Sequence, residues 1–180
     1  LLKNGILIEE KHEHYRMQYN SLASFNKKLT KDQERAFLSV DLNNYNTYLL
    51  HGVTGSGKTE VYIKLIEKVL SMGKTAIVLV PEISLTPQMV NRFTGVFGNK
   101  IAALHSALSD GEKYDEWRRI HRGEVSIVIG ARSACFAPLT NLGIIIIDEE
   151  HSDSYKQDNN PRYDARRIAM IRGDRWNCPV

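Results

Sequence analysis

Long hydrophobic runs are missing from this chain. The longest, Leu142 to Ile147, is six residues and contains a glycine, far short of the roughly 18–20 apolar residues that cross a bilayer. No membrane partner is therefore expected. Cysteine is scarce. Cys135 and Cys178 are the two present and form no C-x-x-C pair, which argues against a zinc site or a disulfide framework and for two small buried residues in a reducing cytosol. A secretory signal is absent too, since the opening "LLKNGILIEEKHEHYRMQYN" places charge every few positions. Charge of one sign hardly dominates: 24 Lys and Arg face 21 Asp and Glu, a net +3. Bulk charge makes no case for nucleic acid, and local distribution has to make it.

What is present is one ordinary domain. The 180 residues, 42% hydrophobic and 25% charged, suit a soluble globular lobe. The chain lacks an initiator methionine and stops at "WNCPV", which reads as the start of a strand, so a piece of a longer protein is expected. Residues 1–25 read as a linker or the tail of a preceding domain. His12 and His14 among Glu9, Glu10 and Glu13 are taken as a solvated charged segment rather than a metal site.

From Thr30 the pattern becomes regular, and residues 26–180 form the expected lobe. "TKDQERAFLSVDL" opens with a capping box, Thr30 with Gln33 three residues on. Five strands are expected in "TYLLHG", "TAIVLVP", "KIAALHS", "VSIVIG" and "LGIIIID". Helices are expected in "EVYIKLIEKVLSMG", "SLTPQMVNRFTGVFG", the polar "SDGEKYDEWRRIHRG" and "DARRIAMIR". Continuous β-branched strands alternating with helices predict an α/β fold, a parallel sheet covered on both faces. Ligands of such sheets gather beyond the carboxyl ends of the strands, where every suggestive motif here falls.

The first motif is "GVTGSGKT", residues 52–59, which fits G-x-x-x-x-G-K-S/T after an expected strand and before an expected helix. Glycines let successive N–H groups turn inward around phosphate oxygens, and a helix start adds its positive dipole end. Gly52, Thr54, Gly55, Ser56, Gly57, Lys58, Thr59 and the adjoining Glu60 are the candidate nucleotide-binding residues. Lys58 is assigned to the β- and γ-phosphates and the Thr59 hydroxyl to Mg2+, with ATP the expected cofactor. The second motif is "IIIIDEEH". Isoleucines 144–147 fit a strand buried on both faces, which delivers Asp148 and Glu149 beside the phosphate loop if the two strands are neighbours. Asp148 is assigned to the metal, Glu149 to the base that takes a proton from the attacking water, and His151 to sensing or coupling.

The order "LTKDQ", "GVTGSGKTE", "PEISLTPQ", "GARSACFAPL", "IIIIDEEH" and "SYKQ…PRYDAR" resembles superfamily 2 helicases, and among them the bacterial replication-restart helicases. The resemblance spans about residues 30–180. It implies the first RecA-like lobe of an ATP-driven 3′→5′ DNA helicase, a three-layer phosphate-loop NTPase. The second lobe of the motor would carry the arginine finger, and zinc is expected elsewhere in the parent. Hydrolysis by the lobe alone should then be weak, because such fingers supply on the order of 10³–10⁵ in rate. The implied partners are single-stranded and forked DNA, the second lobe, primosome proteins and single-strand binding protein, in a bacterial cytoplasm.

By the same resemblance Gln33 matches an adenine-reading glutamine, although it also completes the Thr30 cap. Ser84, Thr86 and Gln88 match a loop that touches the DNA backbone, with Glu82 bracing it, and Gly130, Arg132 and Ser133 match a second such loop. Beyond the acids, basic residues interleave with aromatics, a pattern that neutralises phosphates and stacks bases. Tyr155, Lys156, Gln157, Arg162 and Tyr163 are the candidates there. Arg166, Arg167 and Arg172 are read as a solvated helix face and Trp176 as core. Neither a D-x-x-G with a guanine reader nor an "LSGGQ"-like segment is visible, which sets regulatory GTPases and transport ATPases aside. A RecG-like or restriction-type translocase lobe, and a nucleotide-dependent DNA-binding module without motor activity, stay open.

Overall fold

The computed structural model describes residues 14–17, 28–53 and 55–180. Thr54, His12 and most of the expected linker lie outside the described residues.

Four parallel strands form the sheet, β1 (Thr75–Leu79), β2 (Ile101–Leu104), β3 (Ile127–Gly130) and β4 (Leu142–Ile147), in the order β2-β3-β1-β4. Their residues alternate between two dry faces, as a period of two requires. Ala76, Val78, Ile129 and Ile146 pack on one side with Val61, Ile66 and Val69 of α2 (Lys58–Ser71) and Phe93 of α3 (Pro87–Phe97). Ile77, Leu79, Val128 and Ile145 pack on the other with Ile120 of α4 (Asp110–His121) and Ala165 and Ala169 of α5 (Ala165–Trp176). The continuous β-branched strands are thus covered on both faces, and α1 (Lys31–Leu38) stands outside them with no buried residue. Capping boxes open α1 at Thr30 and α4 at Ser109.

Two expectations are corrected. "TYLLHG" is not a strand of this sheet: Cys178–Val180 lie between it and β4, with Ile145 N–H donating to Pro179 (3.0 Å), Tyr48 N–H to Val180 (2.9 Å) and Val180 N–H to Asn46 (2.9 Å). The segment is therefore not β4's direct neighbour, and its backbone bonds run to Val180 instead. Trp176 is exposed rather than core, at the last position of α5. The polar helix α4 buries three charged side chains, Asp115, Glu116 and Arg119. Arg119 pairs with Glu116 at 2.7 Å and donates to the Asn99 carbonyl. Arg16 reaches Asp115 at 2.7 Å and Tyr15 donates to Glu124 at 2.8 Å, so this described part of the expected linker is pinned to the lobe.

Ile77 sits in β1, between β3 and β4, with no exposed surface. Ile77→Ala is expected to cost about 2–5 kcal/mol, the range for emptying a packed isoleucine site, read from urea unfolding midpoints. Burial pushes the Cys135 thiol up to about 12 and the Cys178 thiol up to about 11. Neither should react with iodoacetamide at pH 8 in the folded protein, while both should in urea, as counted by mass spectrometry.

Candidate functional site

The sheet delivers two segments to one cleft of about 970 Å³. The first is the glycine loop ahead of α2. Gly55 and Gly57 hold φ of +80° and +81°, a region open to glycine without strain. Gly57 is also the N-cap of α2, so the loop ends on a helix N-terminus. Lys58 donates from Nζ to the carbonyls of Gly52 (2.7 Å) and Val53 (3.2 Å), which folds it over the loop. Gln33 is committed at both ends of its amide. Its Oε1 accepts from Thr30 N–H at 2.9 Å, and its Nε2 donates to the Ser56 and Gly57 carbonyls at 3.1 and 3.4 Å. Of the two roles open for Gln33 in the sequence, the cap is formed, and the same amide also ties α1 to the glycine loop. Glu60 in the first turn of α2 pairs with Arg92 of α3.

The second segment is the turn after β4. Asp148 N–H donates to Leu79 O at 2.8 Å, so the acid continues the pairing with β1. Asp148 Oδ1 accepts from Tyr62 on α2 at 3.1 Å. Glu149 turns the chain at φ +47° and its Oε2 accepts from Ser84 at 3.5 Å. His151 is exposed. Gln33, Gly55, Lys58, Thr59, Asp148 and Glu149 all line the cleft, and so does Arg166 of α5.

Gly52, Ser56, Gly57, Glu60 and His151 line the cleft as well, whereas the residues expected to touch DNA lie along the same carboxyl rim of the sheet and line no part of it. Thr86 caps α3, accepting from Met89 N–H at 3.3 Å, with Gln88 exposed beside it. Ser133 is exposed in the turn after β3, where Gly130 is required: a Cβ there would sit 2.5 Å from Leu104 O. Arg132 donates to the carbonyls of Ser154 and Lys156 and lies 5.9 Å over the Tyr163 ring. Lys156 and Gln157 form β5 (Lys156–Gln157), paired antiparallel with β6 (Tyr163–Asp164). Lys156 also pairs with Asp153 at 3.3 Å, Gln157 donates to Pro161 O at 3.0 Å, and Arg162 is exposed at the hairpin tip.

Tyr155 is corrected. It is fully buried, and its hydroxyl donates toward Asp148 O (2.6 Å) and Leu79 O (3.1 Å), so no ring face is left for a base. Burial first, then the nearby Asp148 charge, raises the hydroxyls of Tyr155 and Tyr62 above the ordinary tyrosine range, and both stay protonated donors. The reading of Arg166 and Arg172 as a solvated face is corrected too. Arg166 grips Asp164 through two bonds of 2.9 and 2.6 Å and donates to Glu150 O at 2.8 Å. Arg172 donates to Cys135 O and Leu139 O.

Sequence reasoning missed Tyr62, Arg92 and Phe136. Tyr62 stands four residues after Lys58, a spacing that puts both on one helix face and could have been read. Phe136, nearly half exposed, meets Tyr163 edge-on at 4.9 Å.

A glycine loop opening a helix, across a cleft from carboxylates at the end of a parallel strand, defines a RecA-like phosphate-loop lobe. The chain belongs to the DEAD/DEAH box helicase family, whose pattern matches residues 30–172, and with that membership goes nucleotide use. It is 57% identical over its whole length to the replication restart protein PriA of Bacillus subtilis, of which it covers 23%. It is 49% identical, again over its whole length, to that of Synechocystis, of which it covers 22%. The chain thus spans less than a quarter of the length of these curated relatives. Among solved structures, RecG bound to a three-way DNA junction matches 86% of this chain and 24% of that one, with a TM-score of 0.58 at 24% identity, and shares the fold. No helix among the described residues is long and apolar enough to cross a membrane.

Gly57 makes a sharp check on the loop. An added Cβ would combine φ +81° with a 2.4 Å approach to Gln33 Nε2. Gly57→Ala is expected to weaken ATP binding at least about tenfold, roughly the 1.4 kcal/mol that a non-glycine residue costs in this conformation, measured by calorimetry beside a melting curve that shows the fold retained.

Proposed function

We propose that this chain is the nucleotide-binding first lobe of an ATP-dependent 3′→5′ DNA helicase that acts in replication restart. One observation carries the reading: the glycine loop and the Asp148–Glu149 turn face one cleft, while the residues expected to touch DNA share its rim. The names of the restart relatives support the biological role, and the RecG complex supports DNA as the substrate class.

In this reading Lys58 and the loop N–H groups hold the phosphates, and Glu149 accepts the proton of the attacking water. Thr59 and Asp148 would hold Mg2+. One hydroxyl and one carboxylate suit an ion that takes few protein ligands and fills its shell with water and phosphate oxygens. When bound, that ion neutralises charge developing on the phosphates. Gln33 fixes the loop to α1 and lies on the base side of the site. Ser84, Thr86, Gln88 and Ser133 offer hydroxyls and an amide to a strand backbone, and Lys156, Gln157, Arg162 and Tyr163 present the hairpin to it.

Coupling runs through the hairpin's supports rather than through a stacked Tyr155. Tyr155 joins the start of β5 to the Asp148 carbonyl, and Arg166 joins Asp164 of β6 to the Glu150 carbonyl. A strand that shifts the hairpin therefore pulls on the acid turn, with His151 exposed at its edge. The second lobe would supply the arginine finger, forked DNA the substrate, and primosome proteins and single-strand binding protein the context, in a bacterial cytoplasm.

ATP hydrolysis by the full-length protein, with and without single-stranded DNA, tests this. Strong stimulation by DNA is expected, with Glu149→Gln lowering turnover at least about a hundredfold, the lower end for losing general-base help, while ATP still binds. Turnover indifferent to DNA would remove the motor reading and leave a nucleotide-dependent binding module.

A further inference from the structure

Tyr62 has no role in the account so far, yet its placement is specific. Its ring is buried in the core between α2 and the sheet, 7% exposed. Its one polar side-chain atom ends 3.1 Å from Asp148 Oδ1. It follows Lys58 by four residues and Thr59 by three, so α2 turns all three toward the same side. The backbone of Asp148 is already fixed at both ends, its N–H on Leu79 O at 2.8 Å and its carbonyl under the Tyr155 hydroxyl at 2.6 Å. What the main chain leaves undecided is rotation of the carboxylate itself. The Tyr62 hydroxyl decides it, occupying Oδ1 and leaving Oδ2 without a protein donor among the described residues.

We infer that Tyr62 is a positioning residue that sets which oxygen of Asp148 is offered to a divalent cation shared with the nucleotide phosphates. The inference rests on the proposed reading of Thr59 and Asp148 and goes one residue further. Partners that orient a metal-ligating carboxylate typically change metal affinity 10–100-fold when removed. A hydroxyl present only to satisfy a half-buried carboxylate would instead matter equally with and without metal.

The test separates these. Binding of a fluorescent ATP analogue to the full-length protein is followed while Mg2+ is titrated, and again in EDTA. The proteins compared are wild type, Tyr62→Phe, Asp148→Asn and the double variant. Tyr62→Phe keeps the ring and its packing. It is expected to need about tenfold more Mg2+ for half-maximal binding, with the EDTA affinity unchanged. In the Asp148→Asn background the same change should add nothing. An unchanged Mg2+ midpoint, or an equal loss in EDTA, overturns the role. A wild-type protein whose ATP binding ignores Mg2+ overturns the metal reading itself, and this inference with it. Should Tyr62→Phe fold poorly, 3-fluorotyrosine at position 62 reports without deleting the contact. Its fluorine resonance should shift when Mg2+ joins bound ATP, and a resonance indifferent to Mg2+ counts against the role.

Discussion

The carbonyl oxygen of Leu79 receives two donors, the Asp148 amide at 2.8 Å and the Tyr155 hydroxyl at 3.1 Å. Much of the carboxyl rim depends on that shared acceptor. β1 is the interior strand on which β3 and β4 both pair, and its last carbonyl lies where the apolar interior gives way to the site. Burying a tyrosine hydroxyl there without a partner would cost about 1–3 kcal/mol. The ring enters the core only because this acceptor and the Asp148 carbonyl await it. The acid turn is thereby clamped from its amide side and its carbonyl side, and the hairpin that follows starts from a fixed point.

Arginines then close the rim into a ring of backbone ties. Arg132 reaches from the turn after β3 to the carbonyls at the start of the hairpin. Arg172 reaches from α5 back to the carbonyls of Cys135 and Leu139. Arg166 connects α5 to the acid turn through Glu150 O. Loop carbonyls near a core need donors, and a planar guanidinium can serve two at once. The positive charge of this region is therefore partly structural, and the cations free to meet a polyanion are fewer than the composition implies.

The fold was largely legible because β-branched runs and capping boxes are local signals. The Thr30 cap, the continuous apolar run through Ala76–Val80 and the glycine loop all have local physical causes. The site was legible where chemistry demands fixed spacing, as in 52–59 and 148–149. It was not legible where a side chain's direction decides the role. Tyr155 and Tyr163 look alike in a basic aromatic stretch, yet one is sealed in the core and the other half-covered by Phe136 and Arg132. Asp115 and Glu116 are buried beside partners, Arg16 from far along the chain and Arg119 one turn on in the same helix, that the polar pattern of α4 does not announce. The 47–52 segment failed as a strand of the sheet for a similar reason, since its neighbour comes from more than a hundred residues away.

That neighbour, Cys178–Val180, acts as a shim. Among the described residues no backbone hydrogen bond joins the glycine loop to the acid turn; one segment, three residues long, stands between their parent segments, hydrogen-bonded to β4 on one side and to 46–48 on the other. Sliding or withdrawing the shim would free the 46–51 segment ahead of the glycine loop while α2 stays packed on the sheet, so the loop would be held at one end instead of two, like a bridge that has lost an abutment.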